Sequence, residues 1–157
     1  MPVSLIQAHG VERIGQVREL FEEYKASLGV DLCFQSFDSE LAGLPGDYAP
    51  PDGRLLLALD GDNAAGCVAL RKIDDQTCEM KRLYVRPRFR GKGVGTSLID
   101  AIFTEARGIG YKKMRLDTLP EMHEAIILYR SLGFRPIAAY RHNPIPGALF
   151  FELNLER

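Results

Sequence analysis

Residues 82 to 100 read RLYVRPRFRGKGVGTSLID, and their side-chain types suit anion binding. Arg86, Arg88, Arg90 and Lys92 follow one another with no acidic residue among them, Gly91, Gly93 and Gly95 alternate, and a helical apolar pattern then begins. A helix start leaves backbone N–H groups unpaired, its dipole favours negative charge, and glycines let the backbone approach a ligand closely. A phosphate group is the chemistry that uses all three features. The P-loop pattern GxxxxGK[ST] does not occur, and the GxGxxG dinucleotide fingerprint fails because the third glycine falls at the wrong offset. The remaining alternative is a solvated basic turn before an ordinary helix.

The chain that must position this loop has 157 residues, 46% of them hydrophobic and 26% charged, with a net charge of -1. Those values suit one globular domain spanning residues 1–157 and argue against a general nucleic-acid binder. Cys33, Cys67 and Cys78 form no CxxC pair, and His9, His123 and His142 show no metal-ligand spacing. The expectation is reduced thiols, no metal and a cytoplasmic protein. The N-terminus has no basic leader, and no apolar run reaches membrane-spanning length.

Periodicity predicts a strand over 3–8. A helix follows over 11–28, with Ile14, Val17, Phe21, Tyr24 and Leu28 on one stripe and Gly29 as its C-cap. A weaker helical stripe runs over 34–44, and a loop follows to 53. Three strands, 54–60, 64–73 and 78–85, are separated by the turn signals GDN and DDQ and read as a meander. A helix over 94–107, a strand over 112–118, a helix over 121–132 and strands over 134–140 and 148–155 complete an α/β order whose first half is antiparallel.

Arg90-Gly91-Lys92-Gly93-Val94-Gly95 resembles the R/Q-x-x-G-x-G/A motif of the GNAT superfamily of acyl-CoA-dependent N-acetyltransferases. EMKRLYVRPRFRGKG resembles that family's central strand and its turn into the helix, and AIILYRSLGFRP, 125 to 136, resembles its second signature. The resemblance implies a mixed, mostly antiparallel sheet splayed at its centre and flanked by helices. It implies acetyl-CoA as cosubstrate, with its pyrophosphate on the amides from Gly91 to Thr96 and with Arg90, Lys92, Val94 and Gly95 in the same cradle. An oxyanion would be held by a backbone amide near Leu83, Tyr84 or Val85.

The implied reaction is direct attack of a primary amine on the thioester in a ternary complex. Tyr129 matches the helix tyrosine that protonates the departing thiolate; otherwise it is a core-edge aromatic beside Ile126 and Leu132. Glu79 sits at the register of a general-base glutamate, and alternation would put Glu79, Lys81, Leu83 and Val85 on one face. The competing reading of Glu79 is an ion-pair partner of Lys81 or a cross-strand cation. Asp117, His123, His142 and Glu152 are further base candidates. Many relatives carry an asparagine where this chain has Met122.

Between Ala26 and Gly53 lie Asp31, Asp38, Glu40, Asp47 and Asp52 with no Arg or Lys, while the charges from Lys81 to Lys92 are all positive. In relatives the first of these segments borders the acceptor groove, so either an acidic wall would meet a cationic amine, with Phe34, Phe37 and Tyr48 adding apolar or cation–π surface, or the segment is a solvated acidic loop. The expected partners are acetyl-CoA and an amine, a small molecule in preference to a protein lysine or N-terminus, without nucleic acid or membrane; a homodimer and a non-catalytic acyl-CoA-binding module are the remaining options.

Overall fold

The computed structural model describes residues 3–29 and 37–156. Its element order is β1 (Ser4–Gln7), α1 (Gly10–Leu28), α2 (Phe37–Ala42), β2 (Arg54–Asp60), β3 (Asn63–Lys72), β4 (Thr77–Val85), α3 (Val94–Ile109), β5 (Lys113–Thr118), α4 (His123–Ser131), β6 (Arg135–Ile137) and β7 (Leu149–Asn154). The strands form one sheet in the order β1-β2-β3-β4-β5-β7-β6. Every neighbouring pair is antiparallel except β4 with β5, which the α3 crossover makes parallel.

Helices cover both faces of the sheet, and this explains the unbroken apolar run of β2. Leu55, Leu57 and Leu59 point into a core with Val17, Leu20 and Phe21 of α1 and Phe37 of α2. Leu56 and Ala58 point the other way, into a core with Leu98, Ile99 and Ile102 of α3, Tyr129 of α4 and Phe151 of β7. Glu12, Glu19 and Glu22 of α1 are left on the solvent side. Arg18 Nε of α1 donates to the Leu41 carbonyl at 3.1 Å and fastens α2 beside its neighbour.

Two irregularities in β4 shape the centre of the molecule. The first is the end of its pairing with β5, which covers only Thr77, Cys78 and Glu79 against Lys113, Met114 and Arg115. Beyond Glu79 the two strands diverge and a gap opens between them. The second is a β-bulge. Residue numbers across β3 and β4 sum to 150 up to Ala69 with Lys81, then to 151 from Cys67 with Tyr84, so β4 carries one extra residue. Arg82 absorbs it at φ 60, a left-handed conformation rare for a residue with a side chain.

The bulge corrects the expected alternation. Glu79, Lys81 and Tyr84 stand opposite Arg71, Ala69 and Cys67, toward α1 and α2, whereas Leu83 and Val85 pack against the α3 core. Two lengths also differ from expectation. The sixth strand ends at Ile137, because the chain turns out of the sheet to bring Tyr140 and Arg141 onto Glu79. Of the helix expected over 34–44, residues 37–42 are helical, and residues 34–36, with Phe34, lie outside the described residues, as do Asp31 and Cys33.

Gly66 is the point where β3 passes closest to the far end of β4. A Cβ there would lie 2.6 Å from the Tyr84 carbonyl oxygen and 3.3 Å from Val85 Cα. Gly66→Ala is therefore expected to cost about 1–3 kcal/mol, as overpacking does, and to shift the Tyr84–Val85 backbone. A melting temperature equal to the parent's would show that this approach has slack.

Candidate active site

The gap between β4 and β5 is the neck between two grooves. The neck, about 50 Å³, is lined by Lys81, Leu83, Asp117, Met122, Tyr129 and Asn143 among others. On one side it opens into a groove of about 840 Å³ bordered by Leu83, Tyr84, Val85, Arg90, Leu119 and His123. At Lys81 it meets a separate groove of about 580 Å³ bordered by Glu40, Asp47, Arg71, Lys81, Arg141 and His142. Lys81 lines both the neck and the second groove, while Leu83 and Met122 line both the neck and the first.

The first groove runs toward the glycine loop. Gly91 and Gly93 have φ of 76 and 80, conformations that favour glycine, and Gly93 is the N-cap of α3 with no side chain capping the helix. Among the described residues the first amides of α3 thus have no intrahelical carbonyl and no side-chain cap. Arg90 Nε donates to the Val85 carbonyl at 2.9 Å, which lays the guanidinium over the end of β4. Arg88, Lys92 and Thr96 are exposed around the loop. Not every cation of the segment faces outward. Arg86 grips Glu23 of α1 at 2.8 Å, and Arg82 grips Glu40 through Nε and Nη2 at 2.9 and 3.0 Å.

Tyr129 is buried at the neck, its ring edge-on to Phe134 at 5.7 Å between centroids. Burial, with smaller contributions from Tyr24 and Asp117, raises its phenol above the usual tyrosine range. Its hydroxyl makes no hydrogen bond among the described residues. Asp117 faces the same neck, half-buried, and accepts a hydrogen bond from Asn143 Nδ2 at 3.2 Å.

Glu79 is 0% exposed and fully engaged. Arg71 Nε donates to Oε1 at 2.6 Å, Arg141 Nη2 lies 3.3 Å from the same oxygen, and the Tyr140 hydroxyl donates to Oε2 at 2.6 Å. Burial alone would raise its carboxyl, but Lys81, Arg141, the Tyr140 hydrogen bond and Arg71 hold it below the usual glutamate range. Lys81 is lowered as well, in its case away from the charged form: burial and Arg82 take its ammonium to about 8, against the pull of Glu79.

The acidic segment is not the acidic wall that the sequence suggests. Glu40 is spent on Arg82, and Phe37 is buried with its ring 5.1 Å from the Arg82 guanidinium, so it holds a cation of the chain itself. Tyr48 is buried and Asp47 stands at the exposed rim. Of the other base candidates, Glu152 pairs with Arg115 at 2.8 Å, His142 borders the second groove, and His123 borders the first.

Arg71, Arg82, Tyr140, Arg141 and Asn143 were not singled out in the sequence. Arg71 alone had a signal: the DDQ turn folds β3 onto β4 with residue 71 opposite residue 79.

Residues 16–134 match the model of the acetyltransferase (GNAT) family, and the chain belongs to it, an acyl-CoA-dependent N-acetyltransferase by class. Over 140 residues it is 42% identical to an uncharacterized N-acetyltransferase of Schizosaccharomyces pombe, covering 88% of this chain and 86% of that one. It is 34% identical over 129 residues to the N-acetylaspartate synthetase of Rattus norvegicus, covering 76% of this chain and 43% of that one. The crystal structure of the PaiA N-acetyltransferase of Thermoplasma acidophilum in complex with coenzyme A shares the fold at a TM-score of 0.76 and 16% identity, covering 98% and 99% of the two chains.

Proposed function

We propose that the protein transfers the acetyl group of acetyl-CoA to a primary amine of a small molecule by direct attack in a ternary complex. The observation that carries this reading is the neck: two grooves that have no lining residue in common each share lining residues with one narrow opening. Acetyl-CoA enters by the groove that leads to the glycine loop, and the amine enters by the other.

The coenzyme's pyrophosphate rests on the uncapped amides of Val94, Gly95 and Thr96, with Gly91 and Gly93 keeping the approach clear and Arg90 and Lys92 supplying charge. Leu83, Tyr84 and Val85 border the acyl arm. Beyond Glu79 the backbone of β4 has no partner strand on the β5 side among the described residues, so an amide there can hold the carbonyl oxygen as it gains charge. The amine nitrogen bonds to the thioester carbon, the C–S bond breaks, and Tyr129 gives its proton to the thiolate. A phenol raised above its usual range remains protonated at neutral pH and is ready to donate.

The amine must lose a proton. Glu79 was the expected acceptor, but its burial, its two donors, its ion pair with Arg141 and its lowered proton affinity support a different role, the orientation of Arg71 and Arg141. Asp117 takes the proton, directly or through water, since its carboxylate faces the neck beside Tyr129.

Initial rates with both substrates varied test the order of events. Intersecting double-reciprocal lines are expected for a ternary complex, and parallel lines would reveal an acetylated enzyme instead. The loop has its own test. Acetyl-CoA should raise the melting temperature of the parent, as a ligand of the folded state must. Gly93→Asp puts a side chain at φ 80 and a negative charge beside the pyrophosphate amides, so that rise should vanish. An equal rise in the variant would refute the phosphate cradle.

A further inference from the structure

The acceptor-side groove gathers more positive charge than its own carboxylates use. Arg71 and Arg141 both turn to one oxygen of Glu79, and Lys81 lines the same wall. Three cations thus surround one buried carboxylate. Glu40 is committed to Arg82, and Asp47 at the exposed rim forms no ion pair among the described residues.

The two guanidiniums are not exhausted by Glu79. Arg71 spends only its Nε, and its two Nη groups have no hydrogen-bond partner among the described residues. The side chains of Arg71 and Arg141 are 27% and 21% exposed, whereas Glu79 is 0% exposed and does not border the groove. A buried acid holding two guanidiniums from behind fixes their orientation, and it leaves N–H groups in the planar fork that matches a carboxylate.

We propose that this groove selects amines that carry a carboxylate, held by Arg71 and Arg141 while the amine reaches the neck; the inference rests on the acetyltransferase reading above. Arg71 stands opposite Glu79 and Ala69 opposite Lys81. The guanidinium wall is therefore two residues, about 7 Å of strand, from the point where groove and neck meet. That span suits a free amino acid with a few bonds between its amine and its carboxylate. A polyamine would bring a second cation against Arg71 and Arg141, at an electrostatic cost.

The test compares amino acids with their amides and with the corresponding decarboxylated amines. Initial rates are measured with acetyl-CoA, and binding to the coenzyme A-loaded protein is measured by calorimetry. The acids are expected to exceed their amides in kcat/KM by roughly 10- to 100-fold, the worth of hydrogen bonds to a charged group. In Arg141→Gln, and in Arg71→Lys, which keeps the charge but loses the fork, that ratio should fall toward one. Amides or diamines preferred over acids would overturn the proposal. So would acids that neither bind nor react, or a preference unchanged in both folded variants. Acids that bind in an Arg141-dependent way without being acetylated would uphold the carboxylate site and remove the transferase reading instead. Should Arg141→Gln fail to fold, the acid-to-amide ratio of the parent and of Arg71→Lys still decides.

Discussion

Replacing Tyr129 by phenylalanine is expected to lower kcat by roughly 10²- to 10⁴-fold, the range for loss of a general acid. The ring keeps its edge contact with Phe134, and the lost hydroxyl makes no hydrogen bond among the described residues, so the melting temperature should hardly move. Affinity for acetyl-CoA should also persist, because the phosphate cradle lies at the other end of the groove. The pH profile gives a second check. Because burial raises the phenol above its ordinary pKa of about 10, Tyr129 stays protonated across the usual assay range. The parent's kcat should show no alkaline loss attributable to this group. Full activity in the variant would mean that water or another side chain protonates the thiolate.

Glu79→Gln separates the two roles open to that carboxylate. Removing its charge leaves Arg71, Arg141 and Lys81 facing one another without an anion between them. The expected cost is about 3 kcal/mol, the lower end for breaking a buried pair, because the two arginines keep some solvent. For a chain of this size that corresponds to a fall in Tm of roughly 6–12 °C. A depressed carboxyl contributes stability above its unfolded pKa of about 4.3, and that contribution is lost as pH falls through the lower folded value. The parent should therefore shed this stability in acid, and Glu79→Gln should lack that component. Its deficit in kcat/KM should be similar at every pH. A deficit concentrated at low pH, where neutral amine is scarcest, together with an unchanged Tm, would restore Glu79 as the base.

Most of the fold was legible because each element follows a simple period. Ile14, Val17 and Phe21 mark the inner stripe of α1, and the GDN and DDQ turns set the meander. The glycine loop was legible for a different reason: Gly91 and Gly93 occupy the two positive-φ positions that lead into α3. The bulge was not legible. A one-residue slip leaves no mark in composition, and its left-handed residue is Arg82, where a glycine would have drawn the eye. Reading straight through it put Leu83 and Val85 on the face of Glu79 and Lys81. The charges were misread for a related reason. Composition counts Glu40, Arg82 and Arg86 as surface charge, but packing turns each toward a partner from a distant part of the chain. Tyr140 and Arg141 were beyond reach because no period or turn rule foretells that the chain leaves the sheet after Ile137.

That departure has a consequence for how such an enzyme can change. The connection from Ile137 to Leu149 brings Tyr140, Arg141, His142, Asn143 and Ile145 to the site, yet none of them is part of a strand ladder. The groove proposed for the coenzyme, by contrast, is bordered mainly by the end of α1, β4 and the start of α4, with Ile145 its one residue from the connection. Loops accept substitutions and insertions that strands and helix starts do not. In the proposed assignment the donor meets mostly framework, while the acceptor meets α2, the turn after it and this connection, with Arg71 and Lys81 supplied by strands. A lineage with this architecture can drift from one amine to another by rewriting two surface segments, α2 with its turn and the connection from Ile137 to Leu149, with the glycine loop left intact.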